Sequence, residues 1–124
     1  MKLFVLVLVV LGPLACSPAR AQSALQSVEQ ILPGCRDFIE PGQQAATPDN
    51  LLQFLAGICA GKVSALLNIS TILEPQFQFC KPSGVTLAQT IQVVVKRLDG
   101  QPEVSRQIFD GAALAALVSI WPCQ

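Results

Sequence analysis

The sequence predicts an all-α fold, a small bundle of about four helices stapled by two disulfides. Two features of the pattern indicate helices: apolar residues recur at steps of three and four, and no stretch alternates as a strand does. A third observation concerns Cys35, Cys59, Cys80 and Cys123, which follow an export-type signal. Cysteines in an exported chain of this size are typical of a disulfide framework.

The N-terminal segment predicts a cleaved signal peptide. Lys2 precedes an uninterrupted apolar run over residues 3–11, which is shorter than the roughly 20 residues that cross a bilayer. Ala19 and Ala21 supply the small residues of an A-x-A cleavage site. We therefore expect cleavage after Ala21, a signal peptide over residues 1–21, a single domain over residues 22–124, and no stable membrane insertion after cleavage.

Cys16 leaves lipidation open as an alternative. Lipoprotein processing also requires a small residue before a cysteine, and Ala15 precedes Cys16. Pro13, however, stands where a bulky aliphatic residue is usual. The favoured cut after Ala21 removes Cys16 and leaves an even number of cysteines, as a disulfide framework requires.

The first two helices are predicted from apolar stripes. Pro33 and Gly34 interrupt the first stripe, so that helix is kinked or split, and it ends at residues 40–42. A loop over residues 43–46 leads to Thr47-Pro48-Asp49, a strong helix start. Gly57 and Gly61 flank a cysteine, which predicts close approach of a neighbouring helix there. The stripes are Leu25, Val28, Leu32, Cys35 and Ile39, then Leu51, Leu55, Ile58 or Cys59, Lys62, Leu66 and Ile69.

A fixed loop and two further helices complete the prediction. Phe77 and Phe79 alternate in the loop, so we expect one to be buried and the other exposed. Thr86 and Gln89 form a capping box, and Gly100 is expected to end that helix in the left-handed conformation. Pro102-Glu103 opens the fourth helix, which ends before Trp121. The predicted core positions are Leu87, Ile91, Val94 and Leu98, then Val104, Ile108, Ala112, Leu117 and Ile120.

Four cysteines allow three disulfide pairings, and the sequence alone does not choose between them. The order of the cysteines along the helical hairpins favours two bonds. Cys35–Cys59 would join the first two helices, and Cys80–Cys123 would fasten the C-terminal tail to the central loop.

Composition argues against several classes of function. The chain has no histidine, so a conventional catalytic triad cannot be assembled. The cysteines lack a C-x-x-C knuckle, which argues against zinc, and no cofactor is indicated. The mature chain carries six basic and eight acidic residues without a basic block, so nucleic acid is not an expected partner. Only 13% of the residues are charged, which predicts apolar surface suited to a protein partner.

An ordered series of motifs resembles the Rap/Tai family, the immunity proteins that protect bacteria against amidase toxins of type VI secretion systems. Arg97 departs from the family, where we would expect an aromatic residue before Leu98. The series comprises Leu32-Pro33-Gly34-Cys35-Arg36-Asp37-Phe38, Gly57-x-Cys59-x-Gly61, Phe79-Cys80-x-Pro82-x-Gly84-Val85-Thr86-x-x-Gln89, Leu98, Pro102 and Trp121-Pro122-Cys123.

The resemblance implies a periplasmic, helical, disulfide-bonded protein that often forms a homodimer. It also implies binding to a peptidoglycan-cleaving amidase and occlusion of the substrate groove by a loop or a helix end. We expect the contacts in the irregular segments 74–83 and 99–102, because loops held by a rigid scaffold commonly carry function. The candidate partner-binding residues are Glu74, Gln76, Phe77, Lys81, Asp99 and Gln101.

Two other classes of function stay open. A general periplasmic binding or chaperone-like module would use exposed apolar surface for many clients. An enzyme would need a reactive constellation, and the sequence offers none that we can identify.

Overall fold

The computed structural model describes residues 26–41 and 50–124, and this part of the chain is all-α, as predicted. It contains no strand, only isolated bridges that join Ser27 to Ile108 and Phe79 to Pro122. The predicted signal peptide, Cys16, the loop 43–46 and the helix start at Thr47-Pro48-Asp49 lie outside the described residues. The helices are α1 (Val28–Ile39), α2 (Asn50–Ile69), α3 (Leu87–Asp99) and α4 (Phe109–Ile120), with 3-10 turns at Ser70–Ile72, Pro75–Phe77 and Pro102–Val104.

Helix α1 continues through Pro33 and is not split in two. Its N-terminal amides are satisfied from outside the helix: the N–H of Val28 donates to the Gln107 carbonyl at 3.0 Å, and the N–H of Glu29 donates to the Ser105 carbonyl at 2.9 Å. These bonds tie the start of α1 to the segment before α4. The free N-terminal donors of a helix are thereby paired.

The glycine at the closest helix contact is Gly34, and the prediction for Gly57 and Gly61 is wrong. A Cβ added to Gly34 would lie 2.5 Å from the Cβ and the carbonyl oxygen of Leu55 on α2, and closer still to its carbonyl carbon. A Cβ at Gly57 or Gly61 would meet no other described part of the chain within 4 Å. The backbone of α2 at Leu55 can therefore pack this closely against α1 only because Gly34 has no side chain.

The middle of α2 supplies the core stripe, while both of its ends are exposed. Leu51 is 57% exposed and Ile69 is 38% exposed, so the predicted stripe is too long at each end. Lys62 is half-buried and its Nζ lies 2.7 Å from Oδ2 of Asp110 on α4. The side chains of α2 that are buried are Leu55, Ala56, Cys59, Val63 and Leu66.

Helix α3 begins with the predicted capping box. The N–H of Gln89 donates to Oγ1 of Thr86 at 3.2 Å, and the N–H of Thr86 donates to Oε1 of Gln89 at 2.8 Å. Leu87 is half-buried, and the other three predicted core positions are buried. The helix does not end on a left-handed glycine, since Gly100 has φ −79°. Among the described residues, Gly84 in the turn before α3 is the glycine with positive φ, at +82°.

Helix α4 begins at Phe109 and not at Pro102. Pro102–Val104 forms one 3-10 turn, and a further turn follows in which the N–H of Gln107 donates to the Val104 carbonyl at 2.9 Å. The N–H of Phe109 then donates to the Gln26 carbonyl at 2.7 Å. Proline is favoured at the first position of a helix, so the sequence predicts that Pro102 starts α4. The contact between Phe109 and the start of α1 instead delays the helix until Phe109. Ile108 is 59% exposed and the neighbouring Phe109 is fully buried. The predicted core face of α4 was therefore misplaced at its start.

Both favoured disulfides are present. Cys35 and Cys59 form one bond between α1 and α2, and both residues are fully buried; we call it the buried disulfide. Cys80 and Cys123 form the second bond, and both residues are exposed; we call it the exposed disulfide. The first lies within the core, and the second holds the C-terminal tail against the segment after α2.

The segment Asn50–Ile72 is long and apolar enough, by length and composition, to cross a membrane. Its mean hydropathy over an 18-residue window is 1.5. Core helices of soluble proteins, which are mostly buried, pass the same test, and 28% of the apolar window in this segment is buried. Cys59 in this segment is bonded to α1 and Lys62 is paired with α4. These links fit a helix packed in a bundle, and the absence of membrane insertion stays a prediction.

Candidate functional site

The described part of the chain presents no arrangement suited to metal chemistry. No group of three or more histidine, cysteine or acidic residues there is placed to hold a metal ion. Over the same residues, every buried polar side-chain atom has a hydrogen-bond partner. The surface presents the side chains that a protein partner would contact.

The most distinctive surface feature is a loop of residues 70–79, which we call the pinned loop. Ser70 is only 5% exposed, and its hydroxyl bonds both polar groups of the Phe79 backbone. It donates to the carbonyl at 2.6 Å and accepts from the N–H at 3.3 Å. One side chain thus closes the base of the loop, as in compact Ω-loops whose ends lie close together.

Further hydrogen bonds hold the inside of the pinned loop. Nε2 of Gln78 donates to the Leu73 carbonyl at 2.7 Å, and the N–H of Phe77 donates to the Glu74 carbonyl at 2.8 Å. Phe79 is 4% exposed and belongs to the core, whereas Phe77 is 47% exposed. The predicted alternation of the two aromatic residues is confirmed.

Large apolar side chains face solvent at this end of the molecule. Ile72 is 80% exposed, and Ile69, at the end of α2, is 38% exposed. Together with Phe77 they form what we call the apolar tip. Glu74 is the single charged residue between positions 69 and 79, and its Oε2 accepts a hydrogen bond from Nε2 of Gln76 at 2.6 Å.

The chain that follows the pinned loop is also held in place. The N–H of Cys80 donates to the Trp121 carbonyl at 2.8 Å, and the exposed disulfide lies beside this bond. The ammonium of Lys81 donates to the Val85 carbonyl at 2.7 Å and to the Pro82 carbonyl at 3.3 Å. The Lys81 ammonium is therefore paired with carbonyl groups of the adjacent chain. The C-terminal tail holds the end of the pinned loop through the bond from Cys80 to Trp121 and through the exposed disulfide.

A shallow cleft of about 300 Å³ lies between α1 and the end of α3. Asp99 and Gln101 line it, together with Leu32, Pro33 and other residues of both segments. Arg36 forms an ion pair with Asp99. The cleft therefore combines an apolar wall with a paired charge, and it contains the second group of predicted contact residues.

The six predicted contact residues fall into two groups at the two ends of α3. Glu74, Gln76, Phe77 and Lys81 precede α3, and Asp99 and Gln101 lie at its end or just beyond. Helix α3, which lies between the groups in sequence, has 13 residues and is therefore roughly 20 Å long at about 1.5 Å per residue.

Sequence reasoning did not identify Ser70 or Ile72 as part of the pinned loop or of its exposed surface. It placed the start of the contact segment at residue 74, and Ile69 in the core stripe. The available signal was Ile72 itself, an apolar residue that lies shortly before the helix-breaking Glu74-Pro75 pair.

Comparison with known proteins yields one family. The family model described as Rap1a immunity proteins matches residues 27–123. No curated protein and no solved structure matches the chain.

Proposed function

Because the chain belongs to the family of Rap1a immunity proteins, we propose that it binds and inhibits a peptidoglycan amidase effector of type VI secretion. The protein acts in the periplasm, after cleavage of its signal peptide at Ala21. It is a passive inhibitor and not an enzyme, and it needs no cofactor. Inhibition follows from occupation of the substrate groove of the amidase.

The observation that carries this proposal is the pinned loop. Its base is closed by Ser70, its interior is hydrogen-bonded, and the exposed disulfide braces the chain that follows. A loop that is ordered before binding loses little conformational entropy when the complex forms. Such a loop can enter a groove and exclude substrate without being reshaped, which suits an inhibitor.

The second contact group fits within the same interface. A stable protein–protein interface covers about 800 Å² on each partner, a patch roughly 30 Å across. Helix α3, which lies between the two groups in sequence, is about 20 Å long. One amidase surface could thus reach the pinned loop and the turn at residues 99–102 together.

We further propose that the protein forms a homodimer, as the family resemblance implies. Exposed apolar side chains outside the pinned loop, including Leu51 and Phe54 on α2, are suited to such a contact. Light scattering coupled to size exclusion would give a mass near twice that of the mature chain. A mass equal to one chain at micromolar concentration would contradict the dimer.

The same exposed apolar side chains favour a second candidate, a general periplasmic binding or chaperone-like module without a toxin partner. Calorimetric titration distinguishes the two. An immunity protein saturates with one amidase at a fixed stoichiometry, whereas a chaperone-like module binds unfolded clients without one defined partner.

The direct test searches the open reading frames beside the gene for an amidase and mixes that enzyme with the mature, oxidised protein. We expect tight binding and loss of peptidoglycan hydrolysis at equimolar inhibitor. A loop variant replaces residues 71–78 with a glycine–serine linker and keeps Ser70 and Phe79. It should retain the helical circular dichroism and lose inhibition. Wild-type protein that leaves hydrolysis unchanged would refute the function, and a fully active loop variant would refute the role of the loop.

A further inference from the structure

We propose that Ile72 is the anchor of the effector interface, inserted into an apolar socket that has a cationic or N–H donor group at its rim. This inference rests on the proposed function and adds the chemistry of the partner surface. It also assigns a leading role to a residue outside the segment 74–83.

The exposure of Ile72 sets it apart. At 80% it is the most exposed of the large hydrophobic side chains in the described residues, ahead of Ile108 at 59% and Phe77 at 47%. It lies in the 3-10 turn Ser70–Ile72, within two residues of the serine that closes the loop. Its backbone is therefore held while its side chain is open to solvent. Interface energy concentrates in such well-placed side chains that fill a pocket in the partner.

Charge defines the surroundings of the anchor. Between residues 69 and 79 the only charged side chain is Glu74, which is exposed and accepts a hydrogen bond from Gln76. The partner surface should therefore be apolar at the centre and carry a positive or N–H donor group at the position that contacts the Glu74 carboxylate.

The same features argue against two other occupants. If two copies of this chain met through their Ile72 side chains about a two-fold axis, the two Glu74 carboxylates would be brought together near the axis. An anionic lipid surface attracts clustered lysine and arginine, and the segment 69–79 contains neither. An amidase surface with an apolar socket for Ile72 and a positive or N–H donor group beside it would match both Ile72 and the carboxylate of Glu74.

The test measures the Kd of the mature protein for the amidase identified in the direct test, by calorimetry or surface plasmon resonance. Ile72→Ala should weaken binding by about tenfold or more, since truncating an interface anchor costs more than 1 kcal/mol. Ile108→Ala is the matched control: it removes the same atoms from an exposed isoleucine beyond the other end of α3, and it should change Kd by less than about threefold. Glu74→Gln should slow association and flatten its salt dependence.

The outcomes separate the inference from the function on which it rests. A wild-type protein that does not bind the amidase refutes both. Tight wild-type binding with an unchanged Kd for Ile72→Ala refutes only the anchor. Self-association that Ile72→Ala abolishes while amidase binding is unaffected would assign the apolar tip to a second copy and would also overturn the inference. Unchanged circular dichroism of each variant confirms that binding is compared between folded proteins.

Discussion

Replacing Gly34 by alanine should destabilise the protein strongly, although alanine is the better helix former. The added Cβ would lie 2.5 Å from the Cβ and the carbonyl oxygen of Leu55, where nonbonded carbon contacts need about 3.5 Å. Helices α1 and α2 would have to separate by about 1 Å at this point. The buried disulfide at the next residue, Cys35, opposes that separation.

The magnitude follows from overpacking, which typically costs about 1–3 kcal/mol and sometimes more. Because the clash involves the backbone and lies beside a cross-link, we expect a loss near the upper end, about 3 kcal/mol. For a domain of this size that corresponds to a fall in melting temperature of roughly 12–24 °C.

Gly57→Ala and Gly61→Ala are the matched controls, because both glycines lie inside α2 and a Cβ there meets no other described residue within 4 Å. Each should raise the free energy of unfolding by up to about 1 kcal/mol, the helix-propensity difference between glycine and alanine. Denaturant unfolding of the oxidised mature protein gives the free energy of unfolding of each of the three variants, provided that the dependence on denaturant concentration (the m-value) is the same for all. A Gly34→Ala variant as stable as the wild type would refute the close helix contact, and destabilisation by Gly57→Ala would refute the open surroundings of that residue.

Three further predictions concern the loop, the exposed disulfide and α3. With limiting dithiol, the exposed disulfide should be reduced and alkylated before the buried one, because both of its cysteines are accessible to the attacking thiolate; peptide mapping would show the reverse order if this were wrong. Thr86→Ala should lower the free energy of unfolding by about 1 kcal/mol through loss of the helix cap, with the exposed Thr71→Ala as a control that should be near neutral in denaturant unfolding. Ser70→Ala should keep the helical circular dichroism but speed hydrogen exchange at the Phe79 amide, and unchanged exchange there would contradict the pinned loop.

Features that depend on neighbours in sequence were predictable. The capping box of α3 was identified from Thr86 and Gln89, because a cap involves residues three apart and little else. The class of fold followed from apolar periodicity, since one buried stripe per helix requires that spacing. The order of the cysteines along adjacent helices was enough to favour the disulfides that are present.

Features that depend on which helix surfaces pack against each other were not predictable from the sequence. Several glycines could have served a helix crossing, and only the packing of α1 on α2 selects Gly34. Pro102 begins a 3-10 turn as readily as an α-helix, and the hydrogen bonds that join Phe109 to Gln26 and Gln107 to Val28 delay the start of α4 until Phe109.

The candidate site shows the same division. Phe77 was predicted from sequence because the alternation of two aromatic residues in a loop places one inside and one outside. The exposure of Ile72 was not, because an apolar residue after a helix is buried or presented according to how the chain turns back. The hydroxyl of Ser70 is one of the groups that hold this turn, and its bonds to Phe79 form only when α2 and the segment before α3 have come together. The sequence by itself therefore determined the helical class and the cap of α3, which depend on spacing along the chain, and it favoured the two disulfides that are present. The tertiary structure decided where α4 begins, which glycine lies between α1 and α2, and which side chains of the pinned loop are exposed.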